Sequence, residues 1–232
     1  MNILLTGASR GIGAAAYELL RSAGHDVVGH STHGGEKLIA GDLADPHAPR
    51  RIWDEAVARL GRIDALVNNA GIYEGVAEDA SDAVWQAAWQ RTLTINLTSA
   101  ADLSRLAIAH FKANGGGRIV NVASRAAFRG DSSQHWHYAA SKSAMIGMTR
   151  TIARGYAADN ILAFAVAPGF TVSEMTEEYL QGRGGAAILA DIPLGRVTST
   201  DEVAEAIRWL ATEAPAASTG SVIDLNGASY VR

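Results

Sequence analysis

The sequence predicts an α/β protein built on a doubly wound, mostly parallel seven-stranded sheet flanked by helices. Three observations carry this expectation: seven short apolar runs recur along the 232 residues, helical patterns separate most of them, and the first run opens directly into a glycine-rich turn. Short apolar runs without polar alternation mark parallel strands buried on both faces. Helices of crossover length between them lay their apolar stripes on those faces.

The first strand, over 3–5, leads through Thr6-Gly7-Ala8-Ser9-Arg10-Gly11-Ile12-Gly13 into a helix over 13–23. The second and third strands are expected over 27–28 and 38–39. Residues 30–37 between them are too few for an ordinary crossover helix, so this connection is expected to shrink to a turn. A helix over 46–60, with Pro46 suited to its first turn, precedes the fourth strand over 65–67. A long helix over 81–114 starts at Ser81 as N-cap and stops at the glycines of 115–117. The fifth strand over 119–122, a helix over 138–158 and the sixth strand over 162–166 follow. The Gly-rich stretch 181–187 reads as a loop, a candidate flap, before a helix over 200–211 capped by Thr200 and a last strand over 222–225. The whole is expected to form a single Rossmann-type domain over 1–232, with ligands at the carboxyl ends of its strands.

A chain that is 48% hydrophobic with 24 glycines can bury a large core, and a net charge of −4 supplies no basic stripe for nucleic acid. The absence of cysteine rules out disulfides and thiolate metal sites. No apolar run approaches membrane-spanning length. The expectation is a cytoplasmic protein with neither membrane nor nucleic-acid partners.

Glycines at a strand-to-helix turn permit a tight bend, close approach of a pyrophosphate and close helix packing, so Gly7, Gly11 and Gly13 with Ser9, Arg10 and Ile12 read as a nucleotide cradle. Asn96 lies in an apolar helical setting, where an amide is costly unless hydrogen-bonded. Ser124 follows a strand end, where ligands meet side chains in open α/β sheets. Tyr138 and Lys142, four apart at a helix start, share a face. An unperturbed phenol titrates near about 10, and a neighbouring cation would favour its phenolate. His30 and His33 lack partners for a metal site and read as solvated loop histidines, so no metal is expected. Trp85 and Trp89 form a helical stripe suited to packing or an interface.

With these residues in view, the chain resembles the short-chain dehydrogenase/reductase family, whose TGxxxGxG fingerprint is met over Thr6–Gly13 residue for residue. The resemblance continues through Asp42, with Leu43 beside it, as the adenine contact; through Asn68-Asn69-Ala70-Gly71 bordering the cofactor; and through Asn96, Ser124, Tyr138 and Lys142 as the catalytic set. Pro168-Gly169 and Thr171 match the nicotinamide end. The resemblance implies an oxidoreductase that interconverts a carbonyl and a secondary alcohol with NADP(H) or NAD(H). Tyr138 would be the acid/base, Lys142 would hold the ribose, and Asn96 would bend its helix and hold a water. It also implies a homotetramer or homodimer, with Ala139, Ala140, Ser143, Ala144 and Gly147 allowing close helix contact. The stretches 167–175 and 192–196 resemble the 3-oxoacyl carrier-protein reductase branch.

NADP(H) is expected to be preferred. Gly29-His30-Ser31-Thr32 carries no acid to repel a 2′-phosphate, and Arg10, Ser31 and Thr32 supply a charge-assisted and neutral donors. The shortened connection is expected to leave the adenosine end more open than usual. Ser124 and Tyr138 lie fourteen positions apart, farther than in typical members, and the loop between them carries Phe128, Arg129, His135, Trp136 and His137. Those side chains are either a substrate wall or local packing. A nucleotide-sensing protein without catalysis and an NAD-dependent alcohol dehydrogenase are the alternatives. A hydrolase lacks its G-x-S-x-G elbow, and a P-loop enzyme lacks its GxxxxGK[ST].

Overall fold

Ile3 and Leu5 point to one side of the first strand and Leu4 to the other, and all three are fully buried. That alternation organises a computed structural model describing residues 1–171 and 185–232. Its strands are β1 (Asn2–Thr6), β2 (Asp26–Ser31), β3 (Leu38–Ala40), β4 (Ala65–Asn68), β5 (Gly117–Val122), β6 (Ile161–Pro168) and β7 (Val222–Leu225). Its helices are α1 (Gly11–Ser22), α2 (Ala48–Leu60), α3 (Asp82–Leu93), α4 (Ser99–Ala113), α5 (Ala126–Arg129), α6 (Trp136–Tyr156), α7 (Gly185–Ala190) and α8 (Thr200–Thr212). Among the described residues the strands form one seven-stranded sheet in the order β3-β2-β1-β4-β5-β6-β7, with every pairing parallel. The order reverses between β1 and β4, which opens a crevice at their carboxyl ends.

Two cores sandwich the sheet. Leu4, Leu66 and Ile119 pack with Ile52 and Trp53 of α2 and with Leu103 and Phe111 of α4. Ile3, Leu5, Val67 and Val120 pack with Ala16, Tyr17 and Leu20 of α1 and with Val203, Ile207 and Leu210 of α8. All eight residues of β6 are buried, so its sequence shows no polar alternation at all.

Local punctuation differs from the expectation at three helix starts or interiors. Ser81 does cap α3, its hydroxyl accepting from the Val84 N–H. For α8 the cap is Ser199 rather than Thr200, because Ser199 and Glu202 close a reciprocal capping box that Thr200 cannot make. Pro49 near the start of α2, not Pro46, occupies the first turn. The long helix expected over 81–114 is interrupted by a π-helical turn at Thr94–Thr98, centred on Asn96.

The β2–β3 connection holds no helix. It turns through Gly34 at φ 72° and an isolated bridge between Gly35 and Leu38, leaving the flank of the sheet next to β3 without the usual crossover cover. Residues 172–184 lie outside the described residues, and with them most of the stretch expected to be a flap. No described helix is long and apolar enough to cross a membrane.

Candidate active site

Thr6 ends β1, and its hydroxyl accepts hydrogen bonds from the backbone N–H groups of Asn69 and Ala70, each at 3.1 Å. Asn69 returns the tie: its amide donates to the carbonyls of Thr6 at 2.9 Å and Gly7 at 3.0 Å. The turn after β4 is thereby fastened to the glycine turn after β1, one on each side of the crevice. Gly7 and Gly11 take positive φ of 70° and 56°, which glycine adopts without penalty. Gly13 is required for a different reason, since a Cβ there would lie 1.9 Å from the Gly7 carbonyl oxygen. The start of α1 has no side-chain cap hydrogen bond on its N–H groups and lies beside exposed Ser9 and Arg10, an arrangement that suits an anionic diphosphate. The residues present therefore fit a dinucleotide.

The other expected cradle residues divide. Thr32 is exposed, but Ser31 is buried and its hydroxyl donates to the Gly34 carbonyl at 3.0 Å, so it does not face a 2′-phosphate. Asp42 is exposed just past β3 and accepts from the Ala44 N–H at 2.9 Å. Leu43 is a core side chain, packed with Val28, Ile39 and Ile52. Pro168 ends β6, and Gly169 abuts Asn226, whose Cα a Cβ would meet at 2.9 Å. Thr171 bridges to Thr198 and its hydroxyl donates to the Gly169 carbonyl.

Asn96 is fully buried and satisfied, which answers the cost of placing an amide in an apolar helix. Its oxygen accepts from the Ile72 N–H at 2.8 Å, and its amide donates to the Ile72 carbonyl at 3.0 Å and to Ser141 Oγ at 3.3 Å. The π-helical turn points this side chain at the chain leaving Gly71. Lys142 Nζ reaches the same place, close to the Cβ position of Gly71, and donates to the Val122 carbonyl at 2.8 Å. Ser124, just past β5, hydrogen-bonds the Tyr138 hydroxyl and accepts from the Ala126 N–H. Asn96, Ser124, Tyr138 and Lys142 thus meet around the carboxyl end of β5, beside the turn that braces Gly7.

The electrostatics depart from the expectation of a phenol lowered by its lysine. Burial pushes the Tyr138 phenol up to about 12, against the Ser124 hydrogen bond and with a further push from the Asp131 charge. Burial also brings the Lys142 ammonium down to about 8. Desolvation dominates both groups: Nζ sits 5.8 Å from the phenol ring centroid, with one of its N–H groups directed at the Val122 carbonyl.

The short chain dehydrogenase family model matches residues 1–184. The chain belongs to this family. It is 32% identical over 240 residues to a 3-oxoacyl-[acyl-carrier-protein] reductase of Escherichia coli, covering 98% of this chain and 96% of that protein. It is 34% identical to a cis-4-hydroxycyclohexanecarboxylate dehydrogenase of Sinomonas cyclohexanicum, covering 97% and 94%. The solved structure of the TT0495 protein of Thermus thermophilus matches with a TM-score of 0.90 at 27% identity, covering 97% of each chain. Short-chain dehydrogenases are NAD(P)-dependent carbonyl and alcohol oxidoreductases, and the Rossmann-like sheet is the fold the motifs anticipated.

Sequence reading missed several supports. Asn121 accepts from Asn68 at 2.9 Å and donates to Thr149 at 2.8 Å inside the core, tying β4 and β5 to α6. An asparagine between two valines of a buried strand was the available signal. Tyr73 stands edge-on to Tyr138 with centroids 4.8 Å apart, stacks on His135 at 3.9 Å and donates to Asp131 at 2.9 Å. Of the loop aromatics, His135 packs on Tyr73 beside Tyr138, Trp136 and His137 pack on Trp85 and Trp89, and Phe128 stacks on Tyr230. Trp85 meets Trp89 and Trp136, so the tryptophan stripe packs α3 against the start of α6.

Proposed function

We propose that this single-domain protein interconverts a carbonyl and a secondary alcohol, with Tyr138 as acid/base and NADP(H) preferred over NAD(H). The observation that supports this most is the convergence of Ser124, Tyr138 and Lys142 beside the braced glycine turn. The α1 N-terminus takes the pyrophosphate, Asp42 borders the adenine, and Asn69, Ala70 and Gly71 line the crevice. Lys142 holds the nicotinamide ribose, and Pro168, Gly169 and Thr171 border the carboxamide. The nicotinamide, when bound, supplies or accepts the hydride.

In reduction the Ser124 hydroxyl holds the substrate oxygen while Tyr138 gives it a proton. A phenol pushed up to about 12 is protonated at neutral pH and so enters this direction in the reactive form. The phenolate left behind regains its proton from solvent. In oxidation the same oxygen takes the alcohol proton, and the Lys142 charge steadies the phenolate. The substrate class follows the relatives: a 3-oxoacyl chain, or a ring alcohol as in the Sinomonas enzyme. The exposed small face of α6 at Ala140, Ser143, Ala144 and Gly147 suits close packing of a second copy in a homodimer or homotetramer.

Arg10 carries the cofactor preference, with Thr32 adding a neutral donor; Ser31 drops out because its hydroxyl is engaged. Hydrogen bonds to a charged group contribute about 1.5–3 kcal/mol. Arg10→Ala is therefore expected to lower kcat/KM for NADPH by about ten- to a hundredfold, with about threefold or less change for NADH. Steady-state kinetics with a panel of ketones and both cofactors tests this. Wild-type efficiency that is equal or favours NADH would contradict the preference, and turnover with neither cofactor on any carbonyl would contradict the oxidoreductase reading.

A further inference from the structure

His30 is a buried titratable side chain that the proposed chemistry leaves unused. Sequence reading placed it among solvated loop histidines, but β2 runs on through Ser31 and leaves the ring 2% exposed. Nε2 lies 2.8 Å from the Gly41 carbonyl, and Nδ1 lies 3.5 Å from the Gly7 nitrogen. A carbonyl only accepts, so Nε2 carries the proton and Nδ1 is left as an acceptor for the Gly7 N–H. The His30 carbonyl also accepts from the Ala8 N–H at 2.8 Å. One residue therefore holds two successive N–H groups of the glycine turn, the first through its ring and the second through its backbone. The ring also joins that turn to Gly41 at the end of β3, on the flank where the crossover helix is missing.

We infer that His30 is a positioning residue for the nucleotide turn, and that its neutral Nε2–H form sets Gly7 for cofactor binding, so that acidification withdraws cofactor affinity. A second proton, on Nδ1, would set one donor against another inside a buried space, and Gly7 would lose its partner. Burial already holds the imidazole below its ordinary value of 6.5; the Gly41 hydrogen bond and the Asp42 carboxylate pull it back up in part. Among the described residues Asp42 is the charged group that acts on the ring, from the connection after β3. The inference rests on the proposed binding of a dinucleotide at this turn.

The sign follows from linkage. If the bound turn needs the neutral ring, the ring's pKa is lower in the bound than in the free protein. Affinity is then full above the free-state pKa and falls by about tenfold per pH unit below it, until the bound-state pKa is reached. Calorimetric titration of the full chain with NADP+ and with NAD+, from about pH 8 to about pH 5, reads this directly. NAD+ lacks the 2′-phosphate, so its arm removes the ligand's own titration.

For the wild type, Kd for both ligands should rise along this acid limb. In His30→Asn, which keeps an acceptor toward Gly7, and His30→Gln, which keeps a donor toward Gly41, the limb should flatten to about twofold or less. A flat wild-type profile, or an unchanged limb in folded variants, would overturn the inference while leaving the dinucleotide reading intact. Absence of binding by either ligand at every pH would overturn both. Should neither variant fold, ring titration of His30 by NMR in the wild type decides: a lower pKa with NADP+ bound supports the inference, and an unchanged one overturns it.

Discussion

Tyr138→Phe should lower kcat by about 10²- to 10⁴-fold, the range for loss of a positioned general acid, while Kd for the cofactor moves by about threefold or less. The variant deletes the one hydroxyl that meets Ser124 and retains the ring that stands against Tyr73. Lys142 keeps its bond to the Val122 carbonyl, so its reach toward the ribose is undisturbed. Removing a desolvated hydroxyl together with one hydrogen bond should change folding stability by about 1 kcal/mol or less. Steady-state turnover set beside calorimetric cofactor binding checks this. Near-normal kcat would remove Tyr138 from proton transfer, and a parallel collapse of cofactor binding would show a structural role instead.

Among the described glycines, Gly13→Ala should be the most damaging single-methyl change. Its new carbon would lie 1.9 Å from the Gly7 carbonyl oxygen and 2.5 Å from Asn69 Nδ2, and that pair fastens the two turns of the crevice together. The Gly7 backbone cannot yield as a flexible side chain would, and the Asn69 amide is held by its bonds to the Thr6 and Gly7 carbonyls, so overpacking should cost about 1–3 kcal/mol of folding stability. Cofactor Kd should also rise by about tenfold or more, since the Asn69 brace must open. Gly11→Ala separates the two effects. A Cβ at Gly11 meets no protein atom within 4 Å, so the added cost in the free protein is confined to its φ of 56°, about 1–2 kcal/mol. Thermal unfolding of the cofactor-free variants measures this, and a Gly13→Ala protein as stable as the wild type would contradict the packing of the turn.

The parallel sheet was readable because strands buried on both faces betray themselves as unbroken apolar runs: β6 buries all eight residues, and β1 divides Leu4 from Ile3 and Leu5 between two cores. The missing crossover was readable too, because chain length alone forbids a helix between β2 and β3. Helix starts were less legible. Ser199 and Thr200 are equally able hydroxyl caps, and only the reciprocal bond to Glu202 distinguishes them. The π-helical turn at Asn96 leaves no periodic mark in an apolar helix.

The four side chains of the candidate site were named by their motifs, yet their electrostatics were not. Spacing placed Lys142 beside Tyr138 but did not reveal that its ammonium donates a hydrogen bond to the Val122 carbonyl, or that burial dominates the phenol. His30 and Ser31 were misjudged together, since exposure at the end of a short strand depends on where the next connection turns. Here it turns after Ser31, at Gly34. Neither the aromatic set around Tyr73 nor the Asn68–Asn121–Thr149 chain could be read from local pattern, because each joins residues from distant parts of the sequence.

The central claim is that this crevice delivers a hydride to a carbonyl carbon while Tyr138 protonates the oxygen, and isotope transfer tests it most directly. Wild-type protein would be incubated with a ketone and NADPH carrying deuterium at the reactive face of the nicotinamide ring, each face being labelled in a separate reaction. The product alcohol would then be analysed by mass spectrometry. The account predicts, from one of the two labelled faces, one deuterium on the carbinol carbon for each cofactor oxidised, and none from the other. Cofactor oxidation that leaves the carbinol carbon unlabelled from both faces would contradict it.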